Sequence, residues 1–136
     1  MTLSKRQAYE NSVKKIFTKD NCPFCDLDSQ SEQIIWRGKY WYIQHNKYPY
    51  LWLKEHIMAV PYSHTTYSRD LTPEEFWEMP ILQKFIKDFY WDTDYFSFLR
   101  ESLWNRSVEH LHYHFLPWVV KTNFIESLLK DQWFWE

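Results

Sequence analysis

The sequence predicts an α+β fold with a mostly antiparallel sheet of about five strands, one long helix and a further helix at each end. Three observations carry that expectation. First, the elements run helix, cysteine knuckle, three strands, helix, two strands, helix, with no βαβ alternation that would make a doubly wound sheet. Second, Asn105 to Trp118 reads N-R-S-V-E-H-L-H-Y-H-F-L-P-W, so His110, His112 and His114 alternate with large apolar residues. A period of two is the strand period and places the three imidazoles on one face. Third, 136 residues suffice for one domain with a proper core. The expected layout is an N-terminal helix over 1–19, a core over 20–120, and a C-terminal helix with an aromatic tail over 121–136.

Composition narrows the class. Net charge is −2 with a pI near 6.3, so no basic field invites nucleic acid. Aromatics make up 21% of the chain against a single glycine, Gly38. Such a chain must turn on Asn, Asp, Ser and Pro, and any position with positive φ is strained unless Asn or Asp fills it. There is no apolar run long enough to span a membrane and no signal-peptide pattern over 1–17, so a cytoplasmic protein without membrane contact is expected.

In chain order, Ser4 and Gln7 frame a capping box for an amphipathic helix with Tyr9, Val13, Ile16 and Phe17 on one side. Gln33–Trp36 and Lys39–Gln44 are β-rich around Arg37-Gly38, which predicts a hairpin with a two-residue turn. His56–Pro61 reads as a buried strand closed by proline. Thr72-Pro73-Glu74-Glu75 is a helix start with N-cap, N1 proline and capping box, and the helix runs toward Tyr90 with a break at Met79-Pro80. Asp92–Asp94 is a turn, Tyr95–Arg100 a strand, and residues 101–105 a loop. Thr122 opens a helix with Phe124, Ile125, Leu128 and Leu129 on one side, and Trp133-Phe134-Trp135 packs on the core or on a second subunit.

Two groups carry chemistry. Cys22 and Cys25, the only cysteines, form a C-x-x-C knuckle. That spacing means a metal or a redox pair. A redox motif belongs inside a βαβ unit, which is missing here; a zinc knuckle needs two more ligands, and histidines must supply them. The second group is the histidine row, because three clustered titratable side chains on one strand mark a site rather than a wet face.

These residues resemble the histidine triad (HIT) superfamily of nucleotide hydrolases and transferases. H-L-H-Y-H-F-L-P is similar to its H-x-H-x-H signature. Asn46–Tyr50, His56–Pro61 and Tyr62-Ser63-His64 are similar to its N-x-Y-P-Y…G-H-x-x-V-x-P-x-x-H stretch, and Cys22–Cys25 to the knuckle of its zinc-containing branch. The resemblance spans about residues 20 to 120 and implies a HIT-like fold. It implies structural zinc on Cys22, Cys25, His64 and His110. It implies His112 as the nucleophile that attacks the α-phosphorus and forms a nucleotidyl-histidine, with His114 on a non-bridging oxygen and Ser107 near the leaving group. His56 matches a fourth histidine near the phosphate, Asn46 the residue gripping the ribose hydroxyls, and His45 lines the same pocket. The substrate implied is a nucleotide, dinucleoside polyphosphate or nucleoside phosphoramidate, and the assembly a homodimer.

The chain departs from the family pattern at three places. Asn105-Arg106 replaces the usual Gly-Gln before Ser-Val, and Arg106 offers a charged fork to a phosphate. Glu55 replaces the glycine before His56 and puts bulk and negative charge near the ligand. Arg100 stands near the place of the usual upstream Asn. Two functions therefore stand side by side: an enzyme working through His112, and a zinc-stabilised nucleotide-binding or interaction module with little turnover.

Overall fold

The computed structural model describes residues 21–102 and 108–132. The helix expected before residue 20, the tail from Trp133, and Asn105, Arg106 and Ser107 lie outside the described residues. Five strands form one antiparallel sheet: β1 (Ile34–Arg37), β2 (Trp41–His45), β3 (Ile57–Pro61), β4 (Tyr95–Phe98) and β5 (Tyr113–Pro117), in spatial order β1-β2-β3-β5-β4. The helices are α1 (Leu27–Gln30), α2 (Pro73–Trp77), α3 (Met79–Tyr90) and α4 (Thr122–Gln132). This is the expected α+β architecture.

Alternation along the strands divides the core between the two faces. Trp41 and Ile43 of β2, Ile57 and Ala59 of β3, and Phe115 of β5 face α3, where Leu82, Ile86 and Tyr90 form a stripe at four-residue spacing. Tyr42, Met58 and Val60 face the opposite way and pack on Cys22 and Phe24 of the knuckle. β3 is buried at all five positions because both faces are covered, which accounts for its unbroken apolar sequence.

Glu78 explains how the helical layer is registered on the sheet. The Thr72 capping box forms, with Glu75 N–H donating to Thr72 Oγ1 at 3.2 Å and Thr72 N–H to Glu75 Oε1 at 2.8 Å. α2 then stops at Trp77, since Pro80 has no N–H and its ring opposes a carbonyl one turn back. At the break, the Glu78 carboxylate accepts the N–H groups of Lys39 (2.7 Å), Tyr40 (2.9 Å) and Trp41 (2.9 Å). The expected kink is therefore an anchor for the hairpin.

That anchor changes the hairpin turn. Gly38 N–H donates to Trp41 O at 2.7 Å, so the connection is Gly38–Tyr40 rather than the two-residue Arg37-Gly38. Gly38 does not have positive φ. It is small because a Cβ there would run into the Trp36 ring and the Glu78 carboxylate. Positive φ falls instead on Leu51 (50°), Trp52 (62°), Trp91 (58°) and Trp118 (113°), none of them Asn or Asp.

The histidine row is also corrected. The β5 ladder begins only at Tyr113, so His110 and His112 lie in the approach to the strand. Pro61 ends β3 and has no N–H to extend the pairing. The chain after it diverges, and Leu111 N–H goes to Thr65 O at 2.6 Å. The alternation survives: Leu111 is buried on the α3 side, whereas His110 and His112 contact Phe24 on the other. Tyr95–Arg100 likewise stops as a strand at Phe98. α4 forms as expected, with Phe124, Ile125, Leu128 and Leu129 all exposed. No helix among the described residues is long and apolar enough to cross a membrane.

Glu78→Ala leaves three turn N–H groups without their acceptor and should lower the unfolding free energy by about 2–4 kcal/mol in urea titration. An unchanged midpoint would mean that the carboxylate does not hold the hairpin.

Candidate functional site

Two connected centres lie on the sheet face opposite α3. The first joins the knuckle to the start of the histidine row. Turn bonds Cys25 N–H to Cys22 O and Asp26 N–H to Pro23 O (both 3.3 Å) curl the knuckle, and Tyr42 O–H to Phe24 O (2.8 Å) fastens it to β2. Cys22, Cys25, His64 and His110 converge, with all four ligand atoms within 4.8 Å of one another. Cys22 Sγ lies 3.4 Å from His110 Nδ1, and Cys25 Sγ lies 3.3 Å from His64 Nδ1 and 3.4 Å from His110 Nδ1. A tetrahedral ion with bonds of ~2.3 Å to sulfur and ~2.1 Å to nitrogen separates such donors by about 3.5 Å. The donor set fits a metal ion.

The surroundings tune these ligands. His110 Nε2–H donates to Pro61 O at 2.7 Å, which leaves the Nδ1 lone pair aimed at the thiols. Burial lowers the His110 pKa to about 4, against the opposing Pro61 bond, so the ring is neutral and ligand-ready at physiological pH. Burial also pushes the Cys22 thiol up to about 12. A thiolate there needs a cation beside it, and metal binding supplies one while releasing the proton. The two cysteines form no disulfide.

The second centre is a relay of imidazoles whose tautomers follow from their partners. Tyr50 N–H donates to His56 Nδ1 at 3.2 Å, so the His56 proton sits on Nε2. That Nε2 lies 2.8 Å from His114 Nδ1, which must accept, placing the His114 proton on Nε2. His112 Nδ1 lies 2.8 Å from His110 O. A carbonyl only accepts, so the His112 proton is on Nδ1 and Nε2 keeps its lone pair. The ring centroids of His112 and His114 are 4.8 Å apart, the two rings meeting edge to face. His56 is fully buried, and His112 and His114 nearly so.

The other expected residues distribute as follows. Asn46 Oδ1 accepts Tyr48 N–H at 2.8 Å, and its Nδ2 lies 3.3 Å from both nitrogens of His56, so it adjoins the relay. Arg100 Nη2 donates to Tyr50 O–H at 3.2 Å and its guanidinium lies over the Phe98 ring, which places it at the rim. His45 does not join the pocket: it is on the α3 face, with Nδ1 3.0 Å from Lys54 O and its ring against Phe89. Glu55 also turns that way. Its carbonyl accepts the Tyr90 hydroxyl and its carboxylate raises the Tyr90 pKa, after burial the largest cause. Glu55 lies in the exposed turn before β3.

Four further residues contribute: Tyr50 and Phe24 lie within motifs visible in the sequence, whereas Phe98 and Gln44 have no signature there. Phe98 stacks on His114 at 4.6 Å and 5°, and Tyr50 lies against both His114 (5.7 Å) and His56 (4.5 Å). Phe24 sets its edge against His112 at 5.1 Å. Gln44 stands in the same cross-sheet row as Met58, His114 and Phe98, its Oε1 buried without a hydrogen-bond partner among the described residues. Cross-strand register alone places Phe98 and Gln44 in that row, and register was legible only for the first hairpin.

The family described as "protein similar to CwfJ C-terminal" matches residues 9–127. None of the curated proteins matches the chain significantly. Among solved structures, a HIT family member from Bacillus subtilis is 18% identical with a TM-score of 0.57, over 85% of this chain and 99% of that one. The histidine triad nucleotide-binding protein from Candida albicans is 16% identical with a TM-score of 0.59, over 82% and 96%. Diadenosine triphosphate hydrolase from Plasmodium falciparum is 21% identical with a TM-score of 0.55, over 74% and 78%. At such identities the shared property is the fold.

Metal analysis of protein purified without added metal should find about one ion per chain, and Cys22→Ser should remove most of it. Metal content that is negligible, or unchanged by Cys22→Ser, would show that the four side chains do not form a metal centre.

Proposed function

Because the chain belongs to the family of proteins similar to the CwfJ C-terminal region and has the histidine triad fold, we propose that it is a nucleotide hydrolase or nucleotidyl transferase. The observation that carries this reading is the 2.8 Å contact of His112 Nδ1 with the His110 carbonyl, which calls for a proton on Nδ1 and leaves the Nε2 lone pair for attack, with the His114 ring 4.8 Å away.

In this reading, His112 Nε2 attacks the α-phosphorus of a nucleotide, dinucleoside polyphosphate or nucleoside phosphoramidate. The P–N(His112) bond forms as the P–O or P–N bond to the leaving group breaks; a polyphosphate departs as the anion, and an amine departs with a proton taken from water. His114 Nε2–H donates to a non-bridging oxygen as charge builds, and His56 keeps that proton where it is needed by donating to the other nitrogen. Water or another acceptor then takes the nucleotidyl group and regenerates His112. Ser107 serves the leaving group, Asn46 the ribose hydroxyls, and Asn105, Arg106 and Arg100 the phosphates; His45 has no part.

Zinc is the ion proposed for Cys22, Cys25, His64 and His110, since four nitrogen and sulfur donors in a closed set suit a structural tetrahedral site. It supplies no electrophile at the phosphorus; it pins the knuckle to the segment that carries His112. A homodimer is proposed on the exposed apolar face of α4.

Wild-type protein mixed with a diadenosine polyphosphate or adenosine phosphoramidate should release AMP, and His112→Asn should reduce that release by roughly 10³-fold or more. Equal, slow release by both proteins would defeat the enzyme reading and leave the zinc-stabilised binding module.

A further inference from the structure

The two thiols of the knuckle differ in access. Cys25 is exposed, whereas Cys22 is buried. Both sulfurs stand 3.4 Å from His110 Nδ1, and all four ligand atoms lie within 4.8 Å of one another. The thiols are therefore neighbours as well as joint ligands.

The backbone between them already suits a disulfide. Cys25 N–H donates to Cys22 O at 3.3 Å, a turn that keeps its first and fourth Cα atoms within ~7 Å. A disulfide asks for Cα atoms roughly 4.4–6.8 Å apart and sulfurs ~2.05 Å apart, so side-chain rotation closes the gap. The rest of the knuckle stays fastened meanwhile. Tyr42 O–H holds Phe24 O at 2.8 Å, and Phe24 packs with Met58, Val60 and Val108.

We propose that Cys25 is an oxidation site for hydrogen peroxide and that its product is a Cys22–Cys25 disulfide, which withdraws two of the four ligands from the metal centre. Ligand cysteines act as thiolates, the form that peroxide oxidises. The Cys25 sulfur first attacks a peroxide oxygen: the S–O bond forms, the O–O bond breaks, and hydroxide leaves. The Cys22 thiolate then attacks the Cys25 sulfur: the S–S bond forms, the S–O bond breaks, and a second hydroxide leaves. The two sulfurs together lose two electrons, and the peroxide gains them. Because Cys22 is so close, the ladder stops before the irreversible sulfinic stage.

His110 then keeps its Nε2–H bond to Pro61 O but loses both sulfur partners of Nδ1. Through the His110 carbonyl the change reaches His112. That consequence for turnover rests on the reading of His112 as the nucleophile; the oxidation itself does not.

The test treats metal-loaded wild type with excess hydrogen peroxide, followed by catalase. Intact mass under denaturing conditions should fall by two hydrogens, and iodoacetamide should label neither cysteine. A chromogenic indicator should register about one ion released per chain, and dithiothreitol should restore both thiols. In Cys22→Ser the reaction should stop at a Cys25 sulfenic acid that dimedone captures. In Cys25→Ser the buried Cys22 should react about tenfold or more slower than Cys25 does in Cys22→Ser. Thiols that stay open to iodoacetamide, or oxidation that ends in sulfinic acid or in a disulfide between chains, would overturn the proposal.

Oxidised wild type should also release AMP from a diadenosine polyphosphate about tenfold or more slower, with recovery on reduction. Disulfide closure with AMP release unchanged would overturn the link to His112 and keep the oxidation site. No AMP release from the reduced protein would overturn the His112 reading and the link with it, while the oxidation site stands on its mass and metal readouts.

Discussion

The site depends on what His110 holds with its two ring nitrogens and its carbonyl. Nδ1 meets the thiols of Cys22 and Cys25, Nε2–H is bound by the Pro61 carbonyl at the end of β3, and the His110 carbonyl accepts the proton of His112. One residue thus links the knuckle, the central strand and His112. Its ring has no exposed surface, so the arrangement has little room to reorganise. A metal on Nδ1 would sharpen it further, since an ion fixes ring orientation as well as position. His112 lies just before β5 begins at Tyr113.

The sheet separates support from chemistry. The face toward α3 is apolar, closed by Leu82, Ile86 and Tyr90, and the Glu78 anchor keeps helix and hairpin in register. The other face carries in order, along one segment, His110 beside the knuckle thiols, His112, His114 and the apolar Leu116. A two-residue period lays these functions out in a line. Aromatic rings fill the gaps, with Phe24 at one end and Phe98 and Tyr50 at the other, so imidazole orientation is fixed by packing as well as by hydrogen bonds.

Much of this was legible in the sequence because it rests on local pattern. Pro61 and Pro80 mark where elements stop, Thr72 and Glu75 where one starts, and the spacing of Cys22, Cys25 and the histidines announces a site. What escaped local reading depends on partners distant in sequence. The hairpin turn is displaced because Glu78, some forty residues on, captures its N–H groups. The strand around His110 is shorter because the chain after Pro61 diverges and Thr65 takes Leu111 N–H. His45 falls on the wrong face because β2 register puts odd-numbered residues toward α3. Phe98 and Gln44 gained their places from cross-strand register, which leaves no mark in composition.

His110 sets the proton on His112 through its carbonyl. Long-range ¹⁵N–¹H correlation NMR of the imidazoles at neutral pH reads it directly. The account predicts that metal-loaded protein carries the His112 proton on Nδ1 and the His114 proton on Nε2, and that removing the metal lets His112 mix tautomers. A His112 proton found on Nε2 in the metal-loaded protein would contradict it, because the nitrogen assigned to attack would then have no lone pair to offer.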